Sequence, residues 1–223
     1  VPTNALHSKL SLPALGLLLE QADHPYGLTS RLNDRYRHLH ASRSSITTLA
    51  KSLADADLVT PRSPERVGNR PPRTIYDLTE AGFTHMRHRV EETIRTAPAM
   101  DADFVTALAY IGLLGKERAE DALDERTRRI RQEIADLSDS PTDLAEIKMI
   151  EVEYWLRMLA SEASWLEQLR DRIESGEIEW IGDKPSCSTA SMSPAARAQP
   201  AQSRIAPKES PRPSTTSQAD PRT

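Results

Sequence analysis

Cysteine is almost missing from this chain. The single Cys187 cannot close an internal disulfide, and no CxxC pair exists to hold a metal or exchange electrons. Long apolar runs are missing too: nothing approaches the roughly 18 consecutive apolar residues of a membrane helix. The opening "VPTNALHSKLSLPALGLLLEQ" has an apolar stretch. It lacks both the positive leader and the small-residue cleavage site of a secretory signal, so a cytoplasmic chain without membrane contact is expected. Histidine is confined to one end, all six preceding residue 89, and none falls in an HExxH or zinc spacing. His85 and His88 are three apart on a helical stretch and read as an exposed pair. Cys187 lies far from any histidine, which disfavours a Cys–His nucleophile. No glycine-rich phosphate loop is present. An enzyme is therefore not expected, and neither a metal nor a cofactor is implied.

What is present is a split in charge. The whole chain carries a formal −4, but residues 1–98 hold 13 Lys/Arg against 10 Asp/Glu, while residues 99–184 hold 11 against 21. From Arg31 to Arg73 the balance is nine basic to four acidic. A polyanion would meet the first part far more readily than the second.

Composition divides the chain three ways. Residues 1–98 read as one domain, ended by Pro98 in "RTAPAMD". Residues 99–184 read as a second, purely helical domain. Residues 185–223 hold seven Pro, eight Ser, four Thr and seven Ala, with Ile205 as the only branched aliphatic residue, and predict a disordered tail.

Within 1–98 the pattern predicts helix, helix, helix, strand, loop, strand, helix. Ser11 is placed as the cap of a helix whose inward stripe is Leu12, Leu15, Leu18 and Leu19. "HPYG" (24–27) reads as a turn, followed by a helix with Leu28, Leu32 and Tyr36 on one side. A third helix starts around Ser42 or Ser44 and turns Ile46, Leu49, Ala50 and Leu53 inward. "DLVTPR" and "TIYDL" are the two strands of a ribbon, with residues 63–72 as its loop. Pro71 and Pro72 offer no amide hydrogen and stiffen that loop. Either Ile75 or Tyr76 faces the core; periodicity alone leaves both open. Thr79 caps a fourth helix carrying Phe83, Met86, Val90 and Ile94.

Three helices followed by a two-stranded ribbon is the winged-helix layout, a helix-turn-helix module whose third helix can enter a major groove. On that reading Arg43, Ser44, Ser45, Thr47, Thr48 and Lys51 are the candidate base- and phosphate-contacting side chains of the third helix. Arg62, Arg66, Arg70 and Arg73 are the candidate wing contacts to the backbone or minor groove. Serines at a helix start also serve as plain caps, and loop arginines are also found simply solvated. It is the element order, the basic balance and the stiff loop occurring together that favour DNA.

In the second region Phe104, Leu108 and Ile111 suggest a short helix, and Leu123, Ile130, Ile134 and Leu137 a longer one. A third, from about Thr142 to Ser175, would run roughly 50 Å. Its apolar surface is broad: Ile147, Ile150, Tyr154, Trp155, Leu159, Leu166 and Leu169 are the candidate dimerisation residues, a second copy supplying the cover through a twofold contact. A self-contained three-helix bundle is the competing arrangement. Two winged helices presented by a dimer would read a palindromic operator in double-stranded DNA. Phe104, Tyr154, Trp155 and Trp165 are the candidate lining of an effector cavity, against the plainer role of interface anchors.

Certain stretches carry a family likeness. "LSLPALGLLLE" (10–20), "YGLTSRLNDRY" (26–36), "NRPPRTIYDLTEAG" (69–82) and "WLRMLASEASWLEQLRDRI" (155–173) resemble the PadR-like transcriptional regulators, over about residues 10–180. The likeness is carried most by Arg70, Pro71, Arg73, Tyr76, Leu78, Thr79 and Gly82. It implies a mainly α protein, a winged helix-turn-helix domain followed by an α-helical dimerisation domain. It further implies a homodimeric, usually repressive regulator that often responds to small phenolic or hydrophobic molecules. The chain departs from the family pattern at the third helix, where Ser44, Thr47 and Thr48 replace glycine, tyrosine and proline. Asp57 also stands where a glycine usually precedes the leucine matched by Leu58. A winged-helix interaction protein without specific DNA binding is the reading that this departure favours.

Overall fold

A computed structural model describes residues 6, 8–64, 73–139, 147 and 149–180. The expected tail at 185–223 and most of the loop at 63–72, with Pro71 and Pro72, lie outside these residues. The first helix, α1 (Ser11–Glu20), has eight successive buried residues from Ser11 to Leu18. A helix buried all round must be wrapped, and the next helix, the second strand of the ribbon and the helix that follows that strand all pack on α1. Ser11 is not its cap, as the sequence suggested. Leu10 holds that position without a side-chain bond, and Ser11 is the buried first residue.

The "HPYG" stretch also differs from expectation. It is no free turn but the start of α2 (Pro25–Arg35), with His24 as the cap whose Nδ1 accepts from the Gly27 amide at 2.8 Å. Proline suits the first helical position because its missing N–H would have no partner there. A ring nitrogen here does what a serine oxygen does elsewhere. Leu28 and Leu32 point inward, and Tyr36 closes the helix with its ring buried.

After α2 comes α3 (Arg43–Asp55), capped by Ser42. It ends at Asp57, which takes a left-handed φ of 58°. That conformation explains the glycine common at this position in the resembling family, since a Cβ crowds the backbone there, though Asp tolerates it better than most residues. Strands β1 (Val59–Pro61) and β2 (Tyr76–Leu78) pair antiparallel, Val59 opposite Leu78, Thr60 opposite Asp77 and Pro61 opposite Tyr76. Tyr76 is the inward residue and Ile75 is half-buried. A single bridge between Asp23 and Tyr76 lays the α1–α2 link along the other edge of the ribbon.

Thr79 caps α4 (Glu80–Thr96) as expected, its hydroxyl accepting from the Gly82 amide and donating to the Asp57 and Leu58 carbonyls. Gly82 is required by a close approach. A Cβ there would sit 2.0 Å from the Leu58 carbonyl oxygen. Then follow α5 (Ala102–Leu108), a 3₁₀ turn at Ile111–Leu113, α6 (Lys116–Ser138) and α7 (Ile150–Glu174). The last two form an antiparallel hairpin closed by Leu123, Ile130, Leu159, Leu166 and Ile173. Arg131 pairs with Glu167 and Arg170 with Asp124 along its edges.

The two halves share one core. Tyr110 lies so close to α1 that a Cβ on Gly16 would fall 2.1 Å from its ring, and its hydroxyl accepts from Tyr36 at 3.0 Å. Below it, Arg126 of α6 is fully buried. It donates to the carbonyls of Ala97 at 2.7 Å, Pro98 at 3.0 Å and Ile94 at 3.3 Å, where α4 ends. Its Nε meets Glu162 of α7 at 2.7 Å, and its guanidinium covers the Phe104 ring at 3.7 Å. Glu162 turns its other oxygen to the Met100 amide at 2.8 Å. Burial pushes the Arg126 guanidinium below its ordinary value, and the Glu162 contact pushes it back.

Removing one partner of such a pair strands a buried charge. Glu162→Ala should cost on the order of 3–5 kcal/mol, read as a lower midpoint in urea unfolding. Asp57→Gly should relieve strain and raise stability by up to about 1 kcal/mol, measured in the same way.

Candidate nucleic-acid interface

The exposed face of α3 is set by what its other face buries. Ile46 and Leu53 are fully buried and Leu49 and Ala50 nearly so, which leaves Ser44, Ser45, Thr48 and Lys51 in solvent. The Ser42 hydroxyl accepts from the Ser45 amide at 3.1 Å and pairs with the Ser44 and Ser45 hydroxyls at 2.9 and 2.7 Å. Thr47 is half-buried, and its hydroxyl donates to the Arg43 carbonyl at 2.7 Å, so its methyl is the part left to make outside contacts.

Beside the start of α3 lies an open groove of about 530 Å³, lined by His24, Pro25, Tyr26, Arg43, Thr47, Arg73 and Thr74. It joins three elements: the first turn of α2, the first turn of α3 and the chain leading into β2. The Arg43 guanidinium lies over the Tyr26 ring at 4.2 Å, and Arg73 reaches the same ring at 5.8 Å. Arg73 Nη1 also approaches His24 Nε2 at 2.6 Å.

The ten residues singled out for DNA contact thus divide. Arg43, Thr47 and Arg73 come together in the groove, with Ser44, Ser45, Thr48 and Lys51 on the adjoining helix face. Arg62 faces Asp77 across the ribbon in a two-pronged ion pair, so its charge is already balanced in the free protein. Arg66 and Arg70 lie outside the described residues. His24, Tyr26 and Thr74 belong to the groove but were not among the candidates. Reading "HPYG" as a turn concealed them, although a proline followed by an aromatic ahead of an apolar helical stripe was the available signal.

The other candidate sets need correction. Leu159 and Leu166 are spent inside the chain on the α6–α7 hairpin and are not open to a partner. Trp155 and Leu169 are half-buried, and the Trp155 indole donates to Glu133 at 2.9 Å. Ile147, Ile150 and Tyr154 do stay exposed, at 72%, 53% and 61%. The supposed effector lining is not assembled by one chain: Phe104 is closed off beneath Arg126, while Tyr154 and Trp165 face solvent. Among the described residues no helix is long and apolar enough to cross a membrane.

Residues 14–88 match the family model described as "Transcriptional regulator PadR-like family". Over that stretch, about a third of its length, the chain is similar to the family. That match runs from within α1 to the middle of α4, and so contains the whole groove. No curated protein matches the chain. Among solved structures it is similar to Bacillus subtilis PadR in complex with operator DNA, at 22% identity and TM-score 0.36, covering 74% of this chain and 98% of that one. The same protein in complex with p-coumaric acid is similar at 22% identity and TM-score 0.33, covering 75% and 99%. Smu.1604c from Streptococcus mutans is similar at 20% identity and TM-score 0.34, covering 70% and 95%. Likenesses this distant assign no role to any residue of this chain.

The cap that starts α3 can be tested by itself. Ser42→Ala removes the acceptor for the Ser45 amide and should cost about 1 kcal/mol, seen as a Tm lower by a few degrees in circular dichroism.

Proposed function

We propose that this chain is a homodimeric, sequence-specific DNA-binding regulator of transcription, acting as a repressor that a small hydrophobic or phenolic effector releases. The observation that carries the reading is the joint exposure of the α3 polar face and the basic groove beside it, in a domain that matches regulators. The N-terminal end of α3 and the Arg43 and Arg73 charges suit backbone phosphates. Ser44, Ser45 and Thr48 are short enough for the helix backbone to approach base edges, with threonine methyls available to thymine.

Dimerisation is supported by the exposed Ile147, Ile150, Tyr154 and Trp165, large apolar side chains that water solvates poorly. A twofold pair would set two α3 helices against one palindrome. The release by an effector follows from the family resemblance; because one chain leaves Tyr154 and Trp165 open, a dimer would have to complete any aromatic cavity. The acidic balance of residues 99–184 keeps that region off the duplex. One observation favours the alternative, a winged-helix interaction protein without specific DNA binding: the Ser44, Thr47 and Thr48 replacements at the start of α3.

A gel-shift with DNA from upstream of the protein's own gene separates the two. The regulator reading expects a dimer-sized complex that weakens steeply with salt. The combined change of Arg70 and Arg73 to Ala should weaken all sequences alike, whereas Thr47→Ala or Thr48→Ala should alter preference among sequences. A monomer at micromolar concentration in sedimentation, or indifference to sequence, would point to the alternative.

A further inference from the structure

The groove beside α3 contains an arrangement that the winged-helix layout does not require: two arginines from different elements share one aromatic ring. Arg43 opens α3, Arg73 precedes β2, and Tyr26 stands in the first turn of α2, half exposed between them. Among the described residues most other arginines meet a carboxylate. Arg31 meets Glu20 and Asp23, Arg35 meets Glu20, Arg62 meets Asp77, Arg95 meets Glu91 and Glu125, and Arg126 meets Glu162. Among the described residues neither Arg43 nor Arg73 has a carboxylate partner.

What holds Arg73 is weak by construction. His24 Nδ1 faces the Gly27 amide at 2.8 Å and the Asp23 carboxylate at 3.1 Å, while Nε2 faces Arg73 at 2.6 Å. A neutral imidazole has one accepting nitrogen. If Nδ1 caps the helix, Nε2 carries a hydrogen toward a cation. If Nε2 accepts from Arg73, Nδ1 donates to Asp23 and the Gly27 amide goes unserved. Either way one donor is left wanting an acceptor. Two cations drawn to one ring with no anion between them repel, and an anion entering the groove would relieve both the repulsion and the unmet donor.

We propose that Tyr26 is a positioning residue for a composite phosphate clamp, its ring seating Arg43 and Arg73 so that both close on one backbone phosphodiester of duplex DNA. This rests on the regulator reading and deepens it. It adds α2 to the DNA-contacting elements and couples the start of α3 to the base of the wing through one side chain. The cation–π contacts fix where the guanidinium groups sit, and the phosphate supplies the charge they lack.

The test is fluorescence anisotropy with a labelled random-sequence duplex, titrated at several salt concentrations, using the full chain. Each lost phosphate contact should reduce the slope of log affinity against log salt by about 0.9. Because the two arginines serve one phosphate, Tyr26→Ala is expected to lower that slope by about as much as the combined Arg43→Ala and Arg73→Ala change and to weaken binding roughly fivefold or more. Tyr26→Phe, which keeps the ring, should recover what Tyr26→Ala loses. Arg128→Ala removes an exposed cation of α6 outside the groove and serves as the control for net charge, with the slope unmoved. Circular dichroism confirms folding of each variant. A wild-type slope in Tyr26→Ala, or a Tyr26→Phe variant as weak as Tyr26→Ala, would overturn the clamp while leaving the regulator reading standing. Failure of the unmodified chain to bind any duplex would overturn the regulator reading itself.

Discussion

The buried guanidinium of Arg126 is the constraint on which the rest of the architecture depends. A charge removed from water must be met on every side, and this one is met by three carbonyls at the end of α4, a carboxylate on α7 and the face of Phe104 on α5. Those partners come from three different helices, α4, α5 and α7, and the arginine itself from a fourth, α6. The arginine can therefore be satisfied in only one relative placement of the winged-helix half and the helical half. It also supplies what a helix end asks for, since carbonyls at the close of α4 have no partner within the helix and favour a cation.

That placement governs how charge is distributed on the surface. Along α6 and α7 most of the basic side chains are engaged by carboxylates, as Arg131 is by Glu167 and Arg170 by Asp124. Individually such exposed pairs stabilise little. Their effect is to leave no broad basic surface there. Arg43 and Arg73, by contrast, are held by an aromatic ring and an imidazole, neither of which carries a negative charge. Two guanidinium groups thus share one groove, next to the serine- and threonine-bearing face of α3.

Much of the winged helix was legible in the sequence because local signals agreed with one another. Ser42 and Thr79 cap where their hydroxyls precede apolar stripes, and the Ile46–Leu53 face emerges buried as its spacing required. The failures have physical reasons as well. Ser11 opens a helix so enclosed that its own side chain is buried among other elements. His24 caps through a ring nitrogen, which pattern reading does not look for. Arg126 sits among Arg128, Arg129 and Arg131, and nothing local marks it as the buried member of the group. Leu159 and Leu166 have the same spacing whether the partner is α6 or a second chain; only the packed hairpin distinguishes them. The groove was half legible, its arginines from composition and its tyrosine not at all, because the contact joins residues distant in sequence.

The contact between Gly16 and Tyr110 bears on where this protein can be cut. The tyrosine comes from beyond Pro98, yet its ring fills the space over α1 and its oxygen receives the Tyr36 hydrogen. A fragment ending after α4 would keep every element of the winged helix and still have a hole in its floor, with a phenol left facing it. The floor of the winged helix is thus completed by a side chain from the following half of the chain.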